Sequence, residues 1–183
     1  MKKSYGYASL ELSVPLPDDG IFEIGSVTKQ FTAASILKLV EAKKLSLDDD
    51  FTKYLKFDTK GRKVTIDHLL NHTSGIASYT ALEEFWEMSI MDLPRDSLVR
   101  LVESKDFMFE PGEALIYNNS GYFFLGLIIE KVSGQSYEEY LQETFFDPLA
   151  MTSTSYSSNS AITKNKVYGY RYTPDGLKQK RHL

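Results

Sequence analysis

Phe22–Leu37 reads FEIGSVTKQFTAASIL, and the break at its glycine decides how the chain is built. Ile21 to Ile24 is a short extended piece, and Gly25 ends it. From Ser26 to Lys44 the chain reads as one long helix, apolar over most of its circumference (Val27, Phe31, Ala33, Ala34, Ile36, Leu37, Leu39, Val40). Such a helix is expected to be central in its domain. Ser26 therefore stands at a strand–glycine–helix junction, where a side chain can face a cleft. Lys29 follows one turn later, on the same helical face. A serine and a lysine so placed can share a hydrogen bond. The helix N-terminus also favours the negative charge of an alkoxide or oxyanion.

The S-x-x-K pattern is weak by itself. It occurs twice, at Ser26–Lys29 and Ser35–Lys38, and chance in a chain with 19 serines and 16 lysines predicts about two. Context separates the two. Ser35 lies mid-helix in an apolar run, where serine usually bonds back to a carbonyl one turn earlier, so Ser35 and Lys38 are read as structural. A second element, Tyr117-Asn118-Asn119, follows Pro111-Gly112-Glu113 and precedes an apolar helix. Only one Y-x-N is present, where chance predicts about 0.3. On such a loop it can present a phenol and an amide to a cleft; the alternative is a turn with a core tyrosine.

Outward from these segments the chain reads as helix-rich, with strands only near its two ends. Tyr5–Val14 mixes aromatic and β-branched residues in alternation and predicts a strand, broken by Pro15, Pro17 and Asp18-Asp19-Gly20. Thr65 caps a short helix to Leu70, and Pro94 opens another over Arg95–Val102. Ser120–Val132 is strongly apolar, with Gly134 placed as a C-cap. Ser136-Tyr137-Glu138-Glu139 has the pattern of a capping box. Val167–Thr173 is the last strand-like run. Trp86 with Phe85 reads as a loop aromatic packed on the core, with the lining of a substrate cleft as the alternative, and Lys178–Arg181 as a solvated tail.

The 183 residues suffice for one domain with a sizeable core, and the composition (42% hydrophobic, 25% charged) is that of a globular protein. A net charge of −4 gives no electrostatic reason to bind nucleic acid or an anionic membrane. Cysteine is absent, which excludes disulfides, thiol nucleophiles and thiolate metal sites. No apolar run follows Lys2-Lys3, and no stretch approaches the ~20 apolar residues of a membrane span. A cytoplasmic location is the expectation for the chain as it stands. His68, His72 and His182 lack a ligand spacing such as H-E-x-x-H, and no G-x-S-x-G elbow exists, so metal hydrolysis and a Ser-His-Asp hydrolase are disfavoured.

Four blocks, FEIGSVTKQFTAASIL, DHLLNHTSG (Asp67–Gly75), FEPGEALIYNNSGYFFLGLIIEKVSG (Phe109–Gly134) and FFDPLAMTSTSY (Phe145–Tyr156), together resemble the class C β-lactamase-related family. That family includes class C β-lactamases, D-alanyl-D-alanine peptidases, D-amino-acid amidases and family VIII carboxylesterases. The resemblance runs in order through nearly the whole chain. It implies an α+β, β-lactamase/transpeptidase-like fold, here mainly its helical part with few sheet strands, as a single, partial domain over 1–183. It also implies Ser26 as nucleophile, Lys29 and Tyr117 as its proton-handling partners, Asn119 as the substrate-binding residue that orients lysine or substrate, and neither cofactor nor metal. His72, in the H-T-S-G block, is implied to be a hydrogen-bonded turn residue and not a base.

The chemistry is consistent with physical expectation. A serine hydroxyl needs an adjacent base. Lysine and tyrosine ordinarily titrate near pH ~10, so making either a base at neutrality costs about 4 kcal/mol. A cationic neighbour favours the phenolate and desolvation favours the neutral amine, so Lys29 and Tyr117 are expected to titrate as a pair, with the base left unassigned between them. The resemblance further implies a third motif, K-T-G or H-x-G, whose strand supplies a second oxyanion donor. Neither pattern is in this chain, and loss of one such donor typically costs ~10²–10³ in turnover. The leading expectation is a carboxylesterase-like hydrolase of small acyl esters. β-Lactam or D-alanyl-peptide hydrolysis with the same residues is the second, and a non-catalytic binding or scaffold fragment the third. The expected partners are a small ester or amide substrate and a second chain, through a homodimer or strand exchange that covers the sheet-facing side.

Overall fold

The computed structural model describes residues 3–88, 91, 94–157 and 162–179. The chain forms two compact units, one of residues 1–27 and 152–183, the other of residues 28–151.

The first unit is built on two short hairpins. β1 (Tyr7–Ser9) pairs antiparallel with β2 (Val14–Pro15), and β3 (Tyr170–Thr173) with β4 (Gly176–Gln179). The expected single strand over Tyr5–Val14 is thus a hairpin. The Ser13 N–H donates to the Leu10 carbonyl at 3.2 Å, and Ser13 takes a left-handed φ of 52°. Leu10 and Leu12 stand exposed at this turn instead of continuing the alternation. Of the Ile21–Ile24 piece, only Ile21 pairs, in a parallel bridge to Lys166. The last strand starts at Tyr170, three residues later than expected. Its partner includes Lys178, which the sequence assigned to a tail; Lys180 and Arg181 lie outside the described residues.

The second unit is helical: α1 (Lys29–Glu41), α2 (Ile66–Leu70), α3 (Glu83–Met88), α4 (Arg95–Glu103), α5 (Asn119–Ser133) and α6 (Tyr137–Leu141). The predicted Ser26–Lys44 helix is shorter as an α-helix. A 3₁₀ turn, Gly25–Thr28, precedes it, and the helix ends where Lys43 turns left-handed (φ 56°). There the Lys43 and Lys44 N–H groups return to the carbonyls of Val40 and Leu39, a Schellman closure on lysine in place of glycine. The internal Ser35 hydroxyl donates to the Phe31 carbonyl at 2.8 Å and is fully buried, and Lys38 pairs with Glu41, so both have the structural roles expected of them. The helix buries one face (Thr32, Ser35, Ile36, Leu39) and leaves Leu37 exposed, so it is less enclosed than its composition suggests.

The most enclosed element is α5. Phe124, Leu125, Ile128 and Ile129 have no exposed surface, and Phe124 stacks on Phe51 at 5.7 Å and meets Phe57 edge-on at 5.3 Å. Its ends are those expected, with one addition. Gly134 closes the C-terminus at φ 78°, and Asn118, which the sequence reading left without a role, caps the N-terminus by accepting the Gly121 N–H. Capping boxes open α2 (Thr65 with His68) and α6 (Ser136 with Glu139). Phe85 and Trp86 lie on α3, not on a loop; Phe85 packs on Tyr79, while Trp86 is half-exposed instead of packed on the core. No helix of the described residues is long and apolar enough to cross a membrane.

Candidate active site

Ser26 is exposed within the Gly25–Thr28 turn, and the positive φ of Gly25 (51°) permits the change of direction into it. The boundary between the units falls after Val27, so Ser26 belongs to the first and Lys29 to the second.

Within the second unit the other three predicted residues come together. Lys29, at the first position of α1, donates from Nζ to Asn119 Oδ1 at 2.7 Å. The same ammonium lies 4.8 Å from the centroid of the Tyr117 ring and 5.5 Å from that of Tyr122. A cation over an aromatic face is attracted by the ring quadrupole, so Lys29 is held between an amide oxygen and two phenol rings.

Two loops build this arrangement. The segment before Tyr117 runs antiparallel to the H-T-S-G loop: the N–H groups of Met108, Gly112 and Ile116 donate to the carbonyls of Gly75, Thr73 and His72. Gly75 is required there. Its φ is 72°, and a Cβ would sit 2.0 Å from the Phe109 carbonyl oxygen. His72 also has a positive φ (61°), and its Nδ1 accepts the Asn118 N–H at 3.1 Å. Its ring packs between Tyr117 (4.7 Å) and Tyr122 (5.1 Å). Burial first, and Lys29 second, hold the imidazole below its usual pKa, which suits an acceptor nitrogen. His72 thus occupies the hydrogen-bonded turn expected of it.

Asn118 is buried, and its side chain both caps α5 and donates to the Ile76 carbonyl. Asn119 is tied to the other strand of the same loop. Its N–H donates to Ser78 Oγ at 3.2 Å and its Nδ2 to Thr80 Oγ1 at 2.9 Å. Ser120 Oγ donates to the Ala77 carbonyl (2.7 Å) and accepts the Tyr79 N–H (2.9 Å). Ser78, Thr80 and Ser120 were not singled out in the sequence. Only the S-Y-T run after the H-T-S-G block hinted at hydroxyls here. Burial raises the phenols of Tyr79 and Tyr122 above their usual range, with Tyr117 as a second cause for each. No group of three or more potential metal ligands is found among the described residues.

The fold is β-lactamase/transpeptidase-like, as the sequence blocks implied. Residues 1–182 match the model of the Beta-lactamase family, and the chain belongs to it. It is 36% identical over 176 residues to penicillin-binding protein 4* of Bacillus subtilis (strain 168), covering 94% of this chain but 39% of that protein. Among solved structures it is similar to the octameric penicillin-binding protein homologue from Pyrococcus abyssi (37% identity, TM-score 0.81, 96% of this chain and 42% of that one). It is also similar to the D-amino acid amidase from Ochrobactrum anthropi SV3 (26% identity, TM-score 0.82, 95% of this chain and 51% of that one). The chain therefore spans less than half of the curated relative and about half or less of these two structures.

Proposed function

We propose that this chain forms an acyl-enzyme on Ser26, with carboxylesterase-like activity on small acyl esters. The observation that carries the reading is Lys29 Nζ held at 2.7 Å from Asn119 Oδ1 and 4.8 Å from the Tyr117 ring, at the start of the helix that Ser26 precedes. In the acylation step Ser26 Oγ attacks the acyl carbon and its proton passes to the Lys29–Tyr117 pair. The alcohol leaves with that proton. Water then cleaves the serine ester, releasing the acid and regenerating Ser26. An alkoxide leaves more readily than an amine, so an ester makes the smaller demand on the site. A second reading, hydrolysis of amides of D-amino acids or of β-lactams by the same residues, is supported by the likeness to the D-amino acid amidase and to penicillin-binding protein 4*.

Intact-mass measurement after incubation with a fluorophosphonate, and separately with a penicillin, tests both. It reads a single acylation and does not depend on turnover. Labelling of Ser26 by the fluorophosphonate alone supports the esterase, and labelling by both supports penicillin recognition. Absence of any adduct, or full ester hydrolysis by Ser26→Ala, overturns the assignment.

The same reading extends to assembly. The solved homologue from Pyrococcus abyssi is described as octameric. In this chain Tyr172 and Leu177, directly opposed across β3–β4, are 87% and 46% exposed. A second copy of the chain is the partner proposed to cover them, by a homodimer or strand exchange.

A further inference from the structure

The side-chain amide of Asn119 can serve Lys29 only in one orientation. An ammonium has donors and no acceptor, so the group facing it must be Oδ1, and Nδ2 must point away. An amide plane has little intrinsic preference between these two orientations. Thr80 Oγ1 lies on the far side, 2.9 Å from Nδ2, and with the Thr80 hydroxyl proton directed to Ser78 Oγ it presents only an acceptor to the amide, which selects this orientation. Thr80 is in turn held by Ser78, whose Oγ lies 3.2 Å from Thr80 Oγ1 and accepts the Asn119 N–H. The two hydroxyls sit at the entry to and within a 3₁₀ turn, Tyr79–Ala81, whose first N–H is itself fixed by Ser120 Oγ. Backbone and side chain of Asn119 are therefore clamped by one short segment.

We propose that Thr80 is a positioning residue for this site: its hydroxyl locks the Asn119 amide with Oδ1 toward Lys29, and so sets where the lysine amine stands. The inference rests on the acyl-enzyme reading above for its consequence in rate, though not for the geometry. At metal centres, loss of a partner that orients a ligand typically costs about 10–100-fold in activity, and a loss of the same order is expected here. Tyr117, Tyr122 and His72 also face Lys29 and are left intact by a change at Thr80.

The test compares the full chain with Thr80→Val and Thr80→Ser. Valine keeps the shape and removes the acceptor, whereas serine restores it. The rate of Ser26 labelling by a fluorophosphonate is measured over a range of concentrations, which separates reagent binding from acylation. The Asn119 side-chain NH₂ is followed by ¹⁵N NMR. The expected result is a 10–100-fold loss in the limiting acylation rate for Thr80→Val with reagent binding unchanged. Serine should recover the rate to within a few-fold, and the Asn119 amide protons should exchange faster in the valine variant alone. A valine variant with the wild-type acylation rate and an unchanged Asn119 signal overturns the proposal, as does a serine variant as slow as valine. If the wild-type chain takes no label at all, the acyl-enzyme reading fails by itself. The Asn119 signal then decides the role of Thr80: altered in valine and restored in serine it stands, unaltered it falls.

Discussion

At the scale of single residues, His72 shows how one side chain can hold the loop of the candidate site. Its bare Nδ1 must accept the Asn118 N–H, and the residue bears a left-handed backbone to do so. Protonation would turn that acceptor into a donor and set a second cation beside Lys29. Because the folded pKa lies below the ordinary histidine value of ~6.5, the folded chain binds fewer protons than the unfolded one between the two values. The contribution to stability is complete above pH ~6.5 and is lost as the pH falls through the lower folded value. Urea midpoints measured from pH 8 to pH 5 should therefore decline more steeply for the wild type than for His72→Asn. Asparagine tolerates positive φ and keeps an acceptor without titrating in this range. Asp49, held at about 2 chiefly by the Tyr54 hydroxyl, stays charged throughout that window and does not confuse the comparison. Parallel pH profiles for the two proteins would exclude the assigned role.

At the scale of elements, α5 carries most of the organisation. Its N-terminus presents Asn119, its interior supplies the aromatic centre, and its C-terminal Gly134 releases the chain toward α6. Removing the Phe124 ring leaves Phe51 and Phe57 facing a void. Phe124→Ala is expected to cost about 3–5 kcal/mol, seen as a lower urea midpoint with an unchanged slope. A loss below ~1 kcal/mol would mean that this helix is not the centre of the core. Caps and buried interiors of this kind were readable in advance: Gly134, Thr65, Ser136 and the Ser35 back-bond all follow from local rules. The hairpins were not. Tyr5–Val14 alternates well enough to read as one strand, because the pattern cannot show a reversal that depends on one left-handed serine. β4 was missed because its four exposed residues, Gly176-Leu177-Lys178-Gln179, hold a single apolar side chain and so carry no alternation.

At the scale of the whole molecule, the apolar interior is unevenly divided. Among the described residues, Ala8 and Val167 are the buried hydrophobic side chains of the first unit, whereas the continuous core belongs to the second. Two-stranded sheets have open edges, and β3–β4 adds an apolar pair to them. Such edges invite pairing with another chain. Light scattering at micromolar concentration is expected to return twice the 20.8 kDa chain mass or a multiple of it, with Tyr172→Ser combined with Leu177→Ser shifting the mass downward. A clean monomer for the wild type would refute the proposed assembly.

The sequence by itself determined what neighbours along the chain can encode. It placed every helix but α3 and most of their caps, the glycine before Ser26, the one-turn spacing to Lys29, and, through four ordered blocks, the family. Tertiary structure alone decided how the Tyr117 loop is held. The contacts that do so, from Asn118 to His72 and from Asn119 to Ser78 and Thr80, join residues some forty positions apart. Their partners are common hydroxyls and amides with no periodicity to mark them. Local physics can say that a serine caps or a glycine turns. It cannot say which distant hydroxyl an asparagine will meet, because that depends on two loops being brought side by side by a core assembled from residues far apart in sequence.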